Sequence, residues 1–494
     1  MTTFAQSRRK GTVLIVVLVL VLLMSVAAYG FLLSMQTENI AARASGDRLT
    51  AEQAAFSGIE LLSAVLEMPR VRRRELGGVA NNPELFGGVP LDDGLDAADE
   101  EEAARFIVTP PGSATDPQAP VQFGAADESA RLHLGKLVEW DKLQPDSGRQ
   151  ALLRLPGMTA DVADAILDWV DADSQPRFEG AEADAYAGLG TPVSPRNGSP
   201  FDLEELRLVR GVDQMRPFGI AADATSDDQL LGDDGWLSWS QYLTVYSAER
   251  NESHDGSPRI FLNHPQLDLL HQQLIERMPV VWANFIVLYR QYGPSSSTGQ
   301  TTTSDQITID FTRPAARRIE SPLNLIDVVL AVPHQGRTVR VVSPWSSEPL
   351  MLQSQLPQLL DHTWVTAAMV VEGRVNINLA PREVLLAVPG VDESLAERIV
   401  AARSMGSENN ADRDHPAWLL TEGLVDLATM RQLLPNVNAG GDVFRAEFWG
   451  SSGQPAPVYR WEAVIDATQQ VARQVYFREL TGAKHWPSES SPDP

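Results

Sequence analysis

From Arg8 to Glu38 the chain reads RRKGTVLIVVLVLVLLMSVAAYGFLLSMQTE, and no residue between Lys10 and Glu38 carries a charge. The run from Val13 to Leu33 is apolar apart from Ser25, Tyr29 and Gly30. At about 1.5 Å per helical residue it can cross a hydrocarbon layer of about 30 Å. Arg8, Arg9 and Lys10 precede it and acids follow it, which predicts a cytoplasmic amino terminus and a body beyond the membrane. A secretory signal peptide is the rival reading, but it wants a shorter apolar region followed by a small-residue cleavage site. Instead the sequence runs on without a breaking proline, placing Ile40, Ala41, Ala54, Ala55, Ile59, Leu61, Leu62, Val65 and Leu66 at helical spacing. One helix from about Thr12 to about Glu67 is expected, transmembrane over about 13–33 and amphipathic beyond.

The 494 residues suffice for roughly three domains, and 43% hydrophobic content is that of a globular chain. Acids outnumber bases 65 to 40, a net charge of -25 that repels phosphate backbones and argues against nucleic acid as a partner. With no cysteine, disulfides, thiolate metal sites and cysteine nucleophiles are excluded.

An internal repeat organises the middle. LPGMTADVADAILDWVD from Leu155 and VPGVDESLAERIVAARS from Val388 align without a gap. They share Pro156/Pro389 and Gly157/Gly390, then apolar Met158/Val391, Val162/Leu395, Ala163/Ala396 and Ile166/Ile399. A proline-glycine turn followed by apolar residues at helical spacing is a helix-hairpin-helix pattern. Upstream of each copy lies a matching element, ARLHLG near Arg131 and GRVNINLAP near Arg374, and PRIFLNHPQLDLL from Pro258 reads as a relic of a third. Such modules often hold DNA through backbone amides at the glycine turn, but here the first charges after it are Asp161, Asp164, Asp392 and Glu393, so protein packing is the expected use.

Strands are expected at RFIVTPP (105–111) and PVQFG (120–124), and again at VFRAEFWG, VYRWEAVIDAT and QVARQVYFREL, where apolar and polar residues alternate. The acidic stretch LDDGLDAADEEEAAR (91–105) reads as a solvated loop, GPSSSTGQTTTSDQ (293–306) as a mobile one, and the tail beyond Ala483 as disordered. These elements divide the chain into a leader (1–11), the long helix (12–70), an acidic loop with the first strands (71–125), an inserted helical domain (126–230), mixed structure (231–371), a second helix-hairpin-helix module (372–435), terminal strands (436–482) and a tail (483–494).

The densest chemistry lies in DWVDADSQPRFEGAEADAYAGLG (168–190), where Asp168, Asp171, Asp173, Glu179, Glu182 and Asp184 crowd together around the breakers Pro176 and Gly180. Carboxylates on a bent loop suit a hard cation such as calcium, although the spacing does not continue into an EF-hand. The plainer reading is an acidic solvated loop. Catalysis is weakly supported: the eight histidines are scattered, and no H-x-x-x-H, G-x-S-x-G or glycine-rich phosphate loop occurs. His264 and His271 lie seven apart, close enough to share a helix face, and read as incidental.

A short basic leader ending in Gly11, then an unbroken apolar helix, resembles the type IV pilins and type II secretion pseudopilins. The resemblance implies cleavage by a prepilin peptidase after Gly11 and a methylated Thr12 as the new terminus. Most members carry glutamate at the fifth mature position, where this chain has Val16. A carboxylate in the bilayer is tolerated in the family because it pairs with a neighbouring subunit's terminal amine, so Val16 implies a first or topmost subunit, as in the minor pseudopilin K family. In that family a stretch similar to Asp168, Trp169, Asp171, Asp173 and Pro176, then Gly180, Ala181, Glu182, Asp184 and Tyr186, then Asn197, Pro200, Phe201, Glu205 and Leu206 binds calcium. The resemblance therefore implies Asp171, Asp173, Glu182 and Asp184 as calcium ligands. Two departures stand out: Ala183 replaces the usual aspartate, and Gly198 with Ser199 lengthens the turn.

The expected fold is α+β: a long helix, a pilin-like antiparallel sheet and a large inserted helical domain with SAM-like helix-hairpin-helix repeats. The resemblance implies a non-enzymatic, single-pass inner-membrane subunit whose bulk is periplasmic. Its partners would be other minor pseudopilins, the major pseudopilin, the inner-membrane assembly platform and prepilin peptidase, and beyond these the secretin and exported proteins. The alternatives are a type IV minor pilin and a membrane-anchored metal-dependent hydrolase.

Overall fold

In the computed structural model the described residues are 10–91, 103–113, 121–187, 193–212, 239–296, 299–404, 413–453, 458–480 and 486, with backbone alone at 10–12 and 404. A single helix of 58 residues, Lys10–Glu67, carries the amino-terminal run. Among the described residues it is the one helix long and apolar enough to cross a membrane. Every side chain from Val13 to Thr50 is exposed, including Ile40 and Ala41, so the covered stripe is shorter than expected and begins only at Ala51. From there Ala51, Ala54, Ala55, Ile59, Leu62 and Leu66 are buried against a sheet.

That sheet is antiparallel, in the order Val89–Pro90, Arg105–Thr109, Val443–Ser451, Val458–Asp466, Arg473–Glu479, with Ala126–Asp127 also paired to Val443–Ser451. Strands some 330 residues apart in sequence are thus neighbours, with Phe448 opposite Val108 on one side and Trp461 on the other. The contact with the helix is close enough to demand glycine. A Cβ on Gly450 would lie 1.9 Å from the Ala51 carbonyl oxygen and 2.6 Å from the Ala55 nitrogen. RFIVT and the three terminal strands form as expected, whereas the described part of PVQFG (120–124), residues 121–124, does not. Asn82 donates its backbone N–H to the Phe123 carbonyl and Gly124 donates to Val108, so the segment is tied down as irregular chain. Most of the acidic stretch 91–105 and the tail beyond Ala483 lie outside the described residues, except that Trp486 packs half-buried on the sheet core. The loop expected to be mobile at 293–306 contributes a strand, Thr301–Thr302, paired to Arg340–Val341.

Between the sheet strands the chain builds three units on one plan. Each opens with an arginine, buried in the first and third units and half-buried in the second, and a two-residue strand, passes through helices, and closes on a two-residue strand lying parallel to the first. Arg131 precedes Leu132–His133, which pairs with Leu243–Thr244. Arg259 precedes Ile260–Phe261, paired with Thr363–Trp364. Arg374 precedes Val375–Asn376, paired with Val437–Asn438. The element at Pro258, expected to be a relic, therefore opens a complete unit.

In the first and third units a short helix (Ser147–Leu152; Arg382–Ala387) meets a longer one (Ala160–Val170; Glu393–Ser404) through the proline-glycine turn. Gly157 and Gly390 take φ of 69° and 91°, a left-handed conformation that costs a side chain dearly. The two turns match bond for bond: Met158 N–H to Leu155 and Val391 N–H to Val388, then Ala163 to Thr159 and Ala396 to Asp392. Val162, Ala163 and Ile166, and their counterparts Leu395, Ala396 and Ile399, are buried.

Ionic pairs join the units to the sheet. Asp442, fully buried, accepts from Arg70 at 2.9 Å, Arg73 at 2.6 Å and the Arg250 backbone N–H at 2.8 Å. Burial alone would raise its pKa, but the three arginines hold it far below the usual carboxylate range.

Candidate functional site

The helix Ala160–Val170 presents Asp164 and Asp168 one turn apart on its buried face and ends at Asp171. Beyond it the chain turns through Pro176 and comes back across these carboxylates. Asp164 accepts from Arg149 Nε at 2.7 Å and from the Glu179 backbone N–H at 3.2 Å. Asp168 accepts the Arg177 backbone N–H at 3.1 Å. The fit around it again requires glycine, since a Cβ on Gly180 would lie 1.9 Å from Asp168 Oδ2. Burial pushes the Asp168 carboxyl up to about 6, against the lowering effect of these bonds.

One step outward, Asp171, Asp173 and Glu182 converge, each offering a carboxylate oxygen within 4.8 Å of the others. Asp171 and Glu182 are buried and Asp173 is exposed. Asp171 Oδ2 accepts from Arg177 Nη2 at 3.2 Å. Asp171 Oδ1 and Glu182 Oε1 are buried with no hydrogen-bond partner. Unpartnered buried carboxylate oxygens are expensive, and a cation supplies what they lack. Desolvation first, then the neighbouring carboxylates, raise the pKa of Asp171 and Glu182. Asp184, the fourth expected ligand, lies exposed on the helix Ala183–Tyr186 and is not part of this group.

The wall behind the cluster uses the other residues of the motif. Trp169 donates Nε1–H to Glu205 at 2.9 Å, and Arg196 grips the same carboxylate with two bonds of 2.5 and 2.6 Å. Asn197, at a positive φ of 52°, donates its side-chain amide to the Asp173 carbonyl and so fixes the aspartate loop. Tyr186 packs edge-on to Trp169 at 5.7 Å and its hydroxyl accepts the Arg210 N–H. Arg177, which reaches Asp141 at 2.8 Å, Asp168 at 3.3 Å and Asp171 at 3.2 Å, holds the acidic set together and was not singled out by the spacing of carboxylates. The R of SQPRFEG, placed beside a turn-forming proline inside an acidic run, is the signal that marks it.

Gly11 and Thr12 lie in the first turn of the long helix, and Val16 is exposed on its apolar part. His264 and His271 do not converge: His264 bonds the backbone at Gln266 and His271 the Asn284 side chain.

The family model described as type II secretion system (T2SS), protein K, matches residues 130–216, which contain this whole cluster. A type II secretion system protein K of Pseudomonas aeruginosa is 31% identical over 212 residues, 41% of this chain and 57% of that relative. One from Pectobacterium carotovorum is 45% identical over 49 residues, 10% of this chain and 15% of its own length. The chain thus spans less than two thirds of each of these relatives. A solved structure titled as the GspK-GspI-GspJ complex from enterotoxigenic Escherichia coli covers 90% of this chain and 98% of its own at 12% identity, with a TM-score of 0.33. The likeness to protein K carried by the acidic motifs is borne out.

Proposed function

We propose that this chain is a minor pseudopilin of the protein K type, inserted in the inner membrane by its long helix with the units and sheet in the periplasm, and placed at the tip of a type II secretion pseudopilus. The observation that carries the reading is the coincidence of two independent features. The protein K match falls on the segment that builds the carboxylate cradle, and that segment belongs to a chain whose apolar helix joins an antiparallel sheet.

On this reading prepilin peptidase cuts after Gly11, Thr12 becomes the methylated terminus, and Val16 removes the carboxylate that a subunit stacked below others would use. The three units stand beside the helix as bulk that a filament tolerates only at its end. Their helix-turn-helix pairs serve as helix-hairpin-helix modules for protein packing, toward the other minor pseudopilins, the major pseudopilin and the assembly platform, with the secretin and exported proteins further along. The role is assembly, not catalysis.

Calcium fits the cradle. Its donors are hard oxygens, and two of them lack any other partner. Asp171, Asp173 and Glu182 would hold the ion, and its charge would offset the repulsion among buried carboxylates. Because only the folded chain gathers these oxygens, calcium stabilises it by mass action.

Mass spectrometry of the mature amino terminus tests the processing: methylated Thr12 is expected, and an intact Met1 in cells that contain prepilin peptidase would refute it. For the ion, the melting temperature of the detergent-solubilised chain should rise in millimolar calcium, fall back with chelator, and cease to respond in Asp171→Ala. No response in the parent chain ends the calcium assignment while leaving the processing result untouched.

A further inference from the structure

Sharing no residue with the carboxylate cradle, a second group of metal-competent side chains comes together from three segments distant in sequence. His254 follows the first unit, Asp361 is the penultimate residue of the helix Pro349–His362 of the second, and His415 lies in the third. One ligand atom from each lies within 4.8 Å of the others. His254 Nδ1 is 2.6 Å from Asp361 Oδ1, and His415 Nε2 is 3.8 Å from the same oxygen. The imidazoles stand edge to face with centroids 4.4 Å apart.

We propose that His254, Asp361 and His415 bind a divalent transition-metal ion of the zinc class, distinct from calcium in both ligands and location. Two nitrogens and one carboxylate oxygen are donors that such ions prefer, while calcium prefers oxygen alone. Bonds of about 2.0–2.2 Å in a tetrahedral site put ligand atoms about 3.4 Å apart. The observed separations of 2.6 and 3.8 Å lie either side of that, so small side-chain rotations admit the ion.

The Asp361 and His254 segments are tied together by bonds to backbone groups that would survive metal entry. The Asp361 carboxylate accepts the His254 backbone N–H at 2.9 Å, and its carbonyl accepts from Ser253 Oγ at 2.8 Å. The second nitrogen of His254, Nε2, lies 3.8 Å from Asp414, whose carboxylate is paired with Arg74. A carboxylate hydrogen-bonded to the far nitrogen orients metal-bound histidines, and Asp414 stands on that side of His254, short of hydrogen-bond contact. The three side chains are 13%, 20% and 11% exposed, enough for an ion to reach them and for water to take a fourth position.

The ion would cross-link the second unit to the third. It would also brace the exit of the long helix, because the His254 carbonyl accepts the N–H of Val71 in the helix Arg70–Glu75.

The test uses the full chain in detergent, stripped of metal and then loaded with zinc or cobalt(II) and desalted. One zinc per chain should remain, and cobalt should show the intensified visible absorption of a low-symmetry, four- or five-coordinate site. His254→Gln/His415→Gln should lose both while keeping its far-ultraviolet circular dichroism, and Asp171→Ala should keep both. Equal zinc retention in parent and double variant, or a cobalt spectrum matching the aqua ion, would overturn the proposal. Should the double variant misfold, X-ray absorption of the zinc-loaded parent decides: two imidazoles in the coordination shell support the site, and fewer refute it.

Discussion

Glu128 shows what a single buried charge does here. It has no exposure, and it accepts from Arg131, from Arg445 at 2.7 Å and from the Thr244 hydroxyl, so it ties the start of the first unit to that unit's closing strand and to the sheet. Burial would raise its pKa, but Arg131 and then Arg445 outweigh it and hold the carboxyl at about 2. The folded value lies below the unfolded one, so the stabilisation is complete above about pH 4.5 and is lost as the pH falls toward 2. Glu128→Gln should cost about 3 kcal/mol at neutral pH by leaving Arg131 buried without its counter-ion. Denaturant titrations should show that difference shrinking between pH 4.5 and 2; a pH-independent difference would contradict the ionic account. None of this was visible in the sequence, where ESARLHLG gives only the repeat. Likewise the acidic residues of the cradle were legible as a cluster, but their sorting was not: Asp184 and Asp173 look alike in DADSQPRFEGAEADAY and both are exposed, and only the fold brings Asp173 into the group and leaves Asp184 out.

At the scale of elements, patterns that depend on local spacing read correctly and those that depend on distant partners did not. The long helix and the three terminal strands follow from period alone, and the two proline-glycine turns from their aligned residues. PVQFG was misjudged because its alternation was too short to outweigh the bonds that Asn82 and Gly124 make with other segments. His254, Asp361 and His415 are separated by 107 and 54 positions, so no spacing rule could join them. The helix–sheet contact offers a sharp test. Gly450→Ala places a methyl group against helix backbone at Ala51 and Ala55, which can yield only if the whole helix moves, and should lower stability by about 3 kcal/mol. Gly58→Ala is the contrast: its new Cβ meets the side chains of Phe106, Phe448 and Val108 at 3.0 to 3.3 Å, and helix propensity offsets about 1 kcal/mol of the crowding. Comparable melting curves for the two variants would refute a backbone-limited contact.

For the molecule as a whole, the way the second unit is attached has a topological consequence. Ala248–Arg250 leaves the first unit and pairs antiparallel with Val370–Glu372, which returns from the second, with Arg250 directly opposite Val370. Facing residues in such a ladder lie about 5 Å apart, so the chain departs and comes back at nearly the same point. Closing that gap with a turn fixes little extra conformational freedom. The segment between is thus a cassette: exchanging it should preserve the register of the sheet and the carboxylate cradle, with the cost falling on the apolar faces it had covered, on the His254 carbonyl that accepts from Val71 and on the Leu323 carbonyl that accepts from Arg431. A chain in which 252–368 is replaced by a short glycine-serine turn should keep the calcium-dependent rise in melting temperature expected of the first unit, and loss of that rise would show that the cradle depends on the cassette. A protein built this way can change what it displays laterally without renegotiating how its helix lies on the sheet, a modularity of outline that the continuous helix and its sheet never have to share.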